Sequence, residues 1–298
     1  MKIRNFSSIV ALALAAVPQV ATGKAPTVLS PMGPWTVDYA EERCSLIRRF
    51  GDDKKSLVLQ IDSYGSREKF RILVFGDYIP PSKKASGEID YKLTPDQEYR
   101  QNLRALLGKS GRSNASSFGA SFLPADIAHK DFSKMSREEI VRHAAEPEEI
   151  QPEFEQASDS MMLRLGPWQE IGLRLGKMEK PLAALRACVD DLYKSWGIDP
   201  ELQRNRMRSP IPHIESIKEV QRYYPPQMVH DGISAYLSVR IMVDAQGLAS
   251  SCVVQNEADK VFKDAVCAGL ANHFEPALNA DGKPMAGFYQ TSVTFVLN

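Results

Sequence analysis

The residues of this chain whose type and number point most directly to a chemical reaction are four cysteines, Cys44, Cys188, Cys252 and Cys267. An even number of cysteines is typical of a protein that forms disulfides in an oxidising compartment. Four cysteines can pair in more than one way. Because Cys252 and Cys267 lie close together in the last third of the chain, we predict that they pair with each other and that Cys44 pairs with Cys188.

Other chemistry finds little support in the sequence. The stretch Gly119-Ala120-Ser121-Phe122 begins like a G-x-S-x-G nucleophile elbow but lacks the last glycine. No HExxH, P-loop or GxGxxG motif is present. Zinc is the rival interpretation of the cysteines, but CxxC and paired Cys/His spacings are absent and the five histidines are scattered. The sequence therefore predicts no catalytic residue, no cofactor and no metal.

The remaining ionisable groups have simpler interpretations than catalysis. Adjacent carboxylates occur at residues 41–42, 138–139 and 148–149. Neighbouring side chains point in different directions on a helix or strand, so we expect these pairs to face solvent. His273 lies at the C-terminal end of a predicted helix, where a cation interacts favourably with the helix dipole.

Charge and composition exclude one class of partner. The chain has 37 basic and 37 acidic residues and a formal net charge of zero, so nothing attracts it to a phosphate backbone and nucleic-acid binding is not expected. A hydrophobic content of 43% supports packed cores. At 298 residues, the chain is long enough for two domains.

The N-terminus has the layout of a secretory signal peptide. Two positive charges, Lys2 and Arg4, precede an apolar stretch over residues 9–17, and Ala21-Thr22-Gly23 supplies the small residues of a cleavage site. We therefore predict a signal peptide over residues 1–23 and an exported protein. The alternative is an uncleaved inner-membrane anchor, but a spanning helix needs about 20 apolar residues, and Pro18 interrupts this stretch.

Residues 24–200 are predicted to form a β-rich domain. Short alternating segments separated by turn residues indicate an antiparallel meander; they cover residues 35–39, 44–50, 56–61 and 70–75. Two further strands are predicted over residues 161–165 and 170–175. Between these groups, residues 108–121 are rich in Gly, Ser and Asn and are interpreted as a flexible loop. The acidic residues 145–159 are interpreted as a solvated connector.

Two helices are predicted in the same domain. Ser136 and Glu139 have the spacing of a capping box, which marks the start of a short helix. The second helix shows apolar residues at three- and four-residue steps and ends before Gly197 and Pro200; its apolar face consists of Leu182, Leu185, Val189, Leu192 and Trp196. Cys188 lies beside that face, where it can reach Cys44. Residues 201–212 are predicted to be a linker.

The last part of the chain, residues 213–298, is predicted to fold as strand, strand, helix and strand. Alternation predicts strands over residues 236–243 and 248–254, joined by a turn at Gly247. A helix follows from Asp259, with apolar residues repeating every fourth position until Pro276 ends it; these residues are Phe262, Val266, Leu270 and Phe274. The Cys252–Cys267 disulfide requires this helix to lie on the second strand. The fold class is therefore α+β.

The order of short motifs in residues 213–298 resembles the C-terminal domain of the TonB family. The matching pieces are Tyr224-Pro225-Pro226, Gly232, Val243-Asp244-Ala245-Gln246-Gly247, Phe274-Glu275-Pro276-Ala277 and Asp281-Gly282-Lys283-Pro284. The resemblance implies a periplasmic protein-binding module without catalytic activity. In that family, a sheet edge pairs with a short segment of an outer-membrane transporter.

The resemblance makes the last strand, residues 288–297, the candidate partner-binding edge. The residues assigned to that edge are Phe288, Gln290, Ser292, Thr294 and Val296. The alternative is that this strand is covered or paired in a homodimer, because natural sheet edges are usually protected.

The chain also departs from a TonB energy transducer, which has an uncleaved N-terminal anchor and a Pro-rich span. Here the N-terminus has the features of a cleavable signal, and the residues between it and the last domain have a globular pattern. Two alternatives to a protein-binding function remain. One is an enzyme or small-ligand-binding protein with its site in the N-terminal domain, and the other is an anchored transducer. A deep cleft within residues 24–200 would favour a ligand site, whereas an accessible edge at residues 288–297 would favour protein binding.

Overall fold

The structure, a computed structural model, describes residues 26–128, 134–166, 170–213, 220–270 and 273–295. The predicted signal peptide and Val296 lie outside these residues. No helix in the described ranges is long and apolar enough to cross a membrane. The fold is α+β, with a large curled sheet that is almost entirely antiparallel and with few helices among the described residues. We call residues 26–204 the N-terminal half and residues 205–295 the C-terminal half.

The N-terminal half contains a ten-stranded sheet. Its strands are β1 (Thr27–Leu29), β2 (Thr36–Tyr39), β3 (Cys44–Gly51), β4 (Ser56–Ser63), β5 (Phe70–Gly76), β6 (Ser86–Leu93), β7 (Arg100–Ser110), β8 (Ser113–Ala120), β9 (Ser160–Arg164) and β10 (Glu170–Arg174). They are arranged in the order β1-β10-β9-β6-β7-β8-β5-β4-β3-β2, and only β1 and β10 are parallel. Leu57, Leu59 and Ile61 alternate as fully buried residues of β4, as expected for a sheet with one buried face. The predicted meander is confirmed.

The first residues of the described chain close the curl of this sheet. β1 pairs with β10 at one end of the strand order. The residues that follow β1 pair with β3, near the other end: the Met32 N–H donates to the Arg49 carbonyl at 2.8 Å, and the Gly51 N–H donates to the Ser30 carbonyl at 2.8 Å. The curled sheet therefore surrounds an apolar interior.

Helix α4 packs against the inner face of the curled sheet. The helices of this half are α1 (Ala125–Ala128), α2 (Arg137–Ala145), α3 (Pro152–Ala157), α4 (Glu179–Ser195) and α5 (Pro200–Arg204). Leu182, Leu185 and Val189 of α4 are buried in the same core as the strands. The Cys44–Cys188 disulfide joins β3 to α4 with 6.0 Å between the α-carbons. The predicted helix, this disulfide and the Ser136–Glu139 capping box of α2 are confirmed.

Two expectations for the N-terminal half were wrong. Residues 108–121, interpreted as a loop, form the end of β7, a tight turn and β8. The small residues of β8 suit a strand that lies between β5 and β7, and Phe118 provides its buried bulk. Residues 145–159, interpreted as a solvated connector, include α3, where Phe154 and Glu155 are buried. A charged residue can be buried here because Glu155 forms an ion pair with Arg186.

The C-terminal half contains a three-stranded antiparallel sheet with one long helix on one face. Its elements are β11 (Ile211–Pro212), a 3-10 helix (Val220–Tyr223), α6 (Pro226–His230), β12 (Ala235–Val243), β13 (Ala249–Val254), α7 (Lys260–Gly269), β14 (Phe274–Glu275), β15 (Ala277–Leu278), β16 (Pro284–Met285) and β17 (Gly287–Phe295). The sheet order is β13-β12-β17. The predicted succession of strand, strand, helix and strand is therefore present.

A second apolar core lies between this sheet and α7. Side chains from one face of β12 meet those of α7 and of β17; the buried ones include Leu237, Val239, Ile241, Val243, Phe262, Val266, Val293 and Phe295. The Cys252–Cys267 disulfide joins β13 to α7 with 5.8 Å between the α-carbons. This predicted pair is also confirmed.

The helix in the C-terminal half ends earlier than predicted. α7 stops at Gly269, and Leu270 is already extended. Phe274 lies in β14, which pairs with β11, and its N–H donates to the Gly247 carbonyl at 2.8 Å. Strand pairing therefore takes the place of the last helical turn. His273 forms a β-bridge with Leu248, so its interpretation as a helix-terminal cation was wrong.

The segment predicted as a linker, residues 201–212, has structure of its own. It contains most of α5 and the strand β11, and both Gln203 and Ile211 are buried. The division of the chain into the domains 24–200 and 213–298 stays a prediction.

Candidate functional site

The two halves meet through the face of the C-terminal sheet that points away from α7. Side chains alternate along a strand, and the residues opposite the second core face the N-terminal half. Phe288 of β17 is 6% exposed and packs in the first core. Its ring centroid lies 5.4 Å from that of Trp196 and 5.6 Å from that of Tyr193.

Buried polar contacts fix the junction beside these rings. Arg240 of β12 donates from Nη2 to Glu42 Oε1 at 2.6 Å, and its guanidinium lies 4.2 Å from the centroid of the Trp196 ring. Gln255 donates from Nε2 to the Tyr64 carbonyl at 2.8 Å. These contacts link residues far apart in sequence, so the two halves form a defined junction.

A cleft of ≈ 380 Å³ lies at this junction. Its walls come from the loop and strand over residues 64–71, from α2, from the segment before β11, from β12 and from β17. The part of β17 that lines the cleft runs from Phe288 to Ser292 and includes residues from both faces of the strand. The cleft therefore reaches the edge of β17 as well as the sheet face that carries Tyr236 and Ser238 of β12.

The hydrogen-bond pattern shows which backbone groups of β17 point to this edge. Ser238 of β12 donates its N–H to Asn256 Oδ1 at 2.6 Å and accepts from the Gln255 N–H at 2.8 Å. Both partners directly follow β13, so the Ser238 backbone points away from β17. The N–H and C=O groups of antiparallel strands alternate in direction, and Ser238 is in register with Ser292. The backbone groups of Ser292 therefore point away from β12.

The same alternation applies to Gln290, which is in register with Arg240. Within the described part of the chain, β17 pairs with β12 alone and no other backbone group binds residues 289–292. Gln290 and Ser292 thus present donors and acceptors to the cleft. Thr291 and Tyr289 form the hydrogen-bonded pairs with β12.

Three cationic side chains line the cleft. Lys69 is exposed at its rim. Arg71 donates from Nε to Ser117 Oγ at 2.6 Å and from Nη2 to the Ser117 carbonyl at 3.0 Å, and it lies 4.2 Å from the Tyr236 ring centroid. Burial lowers the pKa of Arg71, but a guanidinium stays protonated in proteins. Arg206 donates to Ser209 Oγ at 2.8 Å and to the Gln203 carbonyl at 2.5 Å.

The carboxylates of the cleft are already bound by other groups. Glu148 accepts hydrogen bonds from the Ser66 hydroxyl and from the Arg67 N–H, the latter at 2.7 Å. Glu146 lies 2.5 Å from Nδ1 of His143. Glu148 thereby anchors the loop that forms one wall of the cleft.

A buried ionic cluster supports the same loop from behind. Arg186 pairs with both Glu68 and Glu155, and its Nε donates to the Arg67 carbonyl at 2.9 Å. Burial raises the pKa of Glu68 to about 8 against the opposing effect of Arg186. The side chains of Glu68 and Glu155 are each 2% exposed. The cluster is almost fully buried and positions the loop.

The predicted edge residues take different positions around the site. Phe288, Gln290 and Ser292 line the cleft, although the Phe288 side chain is occupied by its contacts with Trp196 and Tyr193. Thr294 lies farther along β17, and Val296 lies outside the described residues. Partner binding by these residues stays a prediction.

Sequence reasoning missed the opposite wall of the cleft. No local pattern marks Lys69, Arg71 or Arg206 as neighbours of β17, because the junction brings them together over long sequence distances. Arg71 occupies a polar position of the alternating strand β5, and a charged residue at such a position is the usual pattern of a solvent-exposed strand face. Among the described residues, no group of three or more His, Cys, Asp or Glu side chains clusters as a metal site.

Comparison of the chain with protein-family models, with curated proteins and with solved structures finds no match. The cleft and the strand edge that borders it are therefore the features from which a function can be inferred.

Proposed function

We propose that this chain is an exported, non-enzymatic protein of the bacterial cell envelope that binds other proteins by adding a strand to β17. The observation that carries the proposal is the outer edge of β17, where the backbone groups of Gln290 and Ser292 point into the cleft. In strand addition, an extended peptide hydrogen-bonds to a sheet edge, and its alternate side chains enter adjoining pockets. The cleft provides such a pocket.

The resemblance of residues 213–298 to the TonB C-terminal domain supports the same mode of binding. In that family, the partner is a short segment of an outer-membrane transporter, and such a segment is the proposed partner here. The two disulfides are compatible with an exported protein. Together with the predicted signal peptide over residues 1–23, they support a periplasmic location.

The open edge sets the size of the contact. A strand rises about 3.3 Å per residue, so residues 289–292 offer roughly 13 Å of edge. A partner segment of about four residues would pair along this length. Each backbone hydrogen bond contributes about 1 kcal/mol net, so we expect weak binding unless side chains in the cleft add to it.

A small-ligand site is the second candidate function. The cleft volume of ≈ 380 Å³ falls within the range of about 300–1,000 Å³ that is typical of ligand pockets. The cleft is lined by both halves and not by residues 24–200 alone. A small ligand and an added strand would therefore occupy the same cleft. The role of the β17 backbone separates the two functions, since a small ligand held by side chains does not need it.

A proline substitution at Ser292 tests strand addition. Proline lacks the N–H donor, and at Ser292 this donor points to the cleft, so Ser292→Pro removes one edge donor and keeps the hydrogen bonds to β12. We expect peptides selected from a random display library on the mature chain to bind Ser292→Pro at least tenfold more weakly, which corresponds to about 1.4 kcal/mol. N-methylation of alternate peptide residues should weaken binding similarly.

The matched control is Thr291→Pro, one residue away. Thr291 pairs with Val239 of β12, so this substitution removes a sheet hydrogen bond and should lower the melting temperature, whereas Ser292→Pro should leave it close to that of the unsubstituted protein. Selected peptides that bind Ser292→Pro with unchanged affinity would exclude strand addition at this edge. A dimer that Ser292→Pro dissociates would instead assign the edge to a second copy of the chain.

A further inference from the structure

The cationic lining of the cleft carries an inference about the chemistry of the partner. Lys69, Arg71 and Arg206 all line the cleft, and none of them belongs to β17. Within the described ranges, none of the three forms an ion pair with a carboxylate, whereas other arginines near the junction do; Arg67 pairs with Asp190 and Arg240 pairs with Glu42.

The two arginines of the cleft also have hydrogen-bonding capacity left. A guanidinium has five N–H donors. Arg71 uses Nε and Nη2, and Arg206 uses Nε and Nη1. Among the described residues, Nη1 of Arg71 and Nη2 of Arg206 have no acceptor, and neither is a buried atom without a partner. Each of these two nitrogens therefore has some solvent exposure, and both arginines line the cleft.

Two carboxylates, Glu146 and Glu148, line the cleft together with the three cations. Glu148 is held by Ser66 and Arg67. Asp62 is the carboxylate whose charge acts on Arg71, but it accepts hydrogen bonds from Ser45 at 2.6 Å and from Gln60 at 2.8 Å. Lys69 adds a third positive charge at the rim. With three positive and two negative charges among its described residues, the lining of the cleft has a small excess of positive charge.

The cations lie near both ends of the open edge. Arg71 covers the ring of Tyr236, which is in register with Thr294 just beyond Ser292. Arg206 binds Ser209, which precedes Pro210, and Pro210 packs beside Gly287 at the start of β17. The two arginines therefore lie toward opposite ends of the part of β17 that borders the cleft.

We propose that the cleft selects an extended protein segment that carries acidic side chains, with an aspartate or glutamate near each end of the part that pairs with β17. This inference rests on the proposed function and specifies its partner. The backbone edge supplies affinity that does not depend on sequence, and the arginines supply the preference for carboxylates, which they bind by charge-assisted and bidentate hydrogen bonds.

Peptide selection on charge variants tests the inference. The probe is a random displayed peptide library, which is selected on three proteins: the unsubstituted mature chain, the double variant Lys69→Glu with Arg206→Gln, and the control Lys109→Glu. Lys109 is an exposed residue of β7 that lies outside the cleft. We expect enrichment of Asp and Glu on the unsubstituted protein and on the control, and loss of that enrichment on the double variant. For one selected acidic peptide, binding should weaken about tenfold in the double variant and by a similar factor on raising the salt concentration.

The outcomes separate this inference from the proposed function. Peptides that lose binding in Ser292→Pro but show no acidic enrichment would overturn the acidic segment and leave strand addition in place. Acidic peptides that bind Ser292→Pro unchanged would overturn strand addition. Inorganic phosphate or acetate that binds as tightly as the acidic peptide would replace the segment with a small anion and overturn the inference. Failure to select any peptide would overturn both.

Discussion

Single residues decide how the wall of the cleft is held, and Glu68 is the clearest case. It shares the one positive charge of Arg186 with Glu155, and Glu155 takes two hydrogen bonds from that guanidinium. One buried cation cannot compensate two buried carboxylates. Burial therefore raises the pKa of Glu68 to about 8. Because the buried carboxyl is more stable when it is protonated, its ionisation at higher pH lowers the free energy of unfolding.

Glu68 predicts a stability that depends on pH. Its pKa is higher in the folded protein than in the unfolded chain, so its contribution is fully present below the unfolded pKa of about 4.3 and is lost as the pH rises toward 8. We expect the free energy of unfolding to fall by a few kcal/mol over this window. Urea unfolding of Glu68→Gln should show a much flatter pH dependence.

The control is Glu153→Gln, which changes an exposed carboxylate on α3 and should keep the pH dependence of the unsubstituted protein. An equally steep decline in Glu68→Gln would mean that another group titrates in this window.

Each disulfide joins a strand to the helix that packs on it, and at this scale the sequence is most informative. The Cys252–Cys267 loop is short, and closing it reduces the entropy of the unfolded chain by an amount worth about 3 kcal/mol. Both cysteines lie within the C-terminal half. The local unfolding of that half should therefore depend on this bond more than the unfolding of the ten-stranded sheet does.

Replacing both cysteines tests this dependence without leaving an unpaired thiol. We expect Cys252→Ser with Cys267→Ser to lower the free energy of unfolding by about 2–5 kcal/mol. Hydrogen exchange should accelerate in β12, β17 and α7 and change little in β3, β4 and β5. Equal acceleration in both sheets would show that the two halves unfold as one unit.

The elements also show why sequence reasoning succeeds or fails. Strands such as β4 and β12 were predictable because their apolar residues alternate and one face is buried. β8 was missed because its Ser, Asn and Gly residues resemble a loop, and only the neighbouring strands β5 and β7 make it a central strand. The end of α7 was missed because Leu270 and Phe274 continue the helical repeat, while pairing of β14 with β11 ends it.

For the whole molecule, the junction between the halves was the least predictable feature. In the sequence, Arg240 has the pattern of an exposed strand residue, and Glu42 is one of two neighbouring glutamates that are expected to face solvent. In the structure the two side chains form an ion pair, and the Arg240 side chain is 6% exposed. Contacts between residues nearly 200 positions apart leave no local pattern, and the cleft beside them shares that property. The edge of β17 could be predicted from the sequence, but the opposite wall could not.

Arg240 is expected to couple the unfolding of the two halves. Arg240→Ala removes the pair with Glu42 and the contact with the Trp196 ring, so we expect a loss of about 2–4 kcal/mol. Calorimetry should show two transitions, or one clearly broadened transition, in place of a single one.

The control is Arg142→Ala. Arg142 of α2 also joins the halves through Glu275, but its side chain is 61% exposed, and exposed pairs contribute about 0–1 kcal/mol. Similar effects of both substitutions would mean that the buried pair has no special role at the junction.

The placement of the two covalent bonds has a consequence for access to the cleft. Cys44–Cys188 and Cys252–Cys267 each begin and end on the same side of the junction, so no disulfide ties one wall of the cleft to the other. Among the described residues, ring contacts, ion pairs, hydrogen bonds and the packing of Phe288 in the first core would have to separate to admit a polypeptide sideways. The two disulfides thus stabilise each half without adding a disulfide between the walls of the cleft.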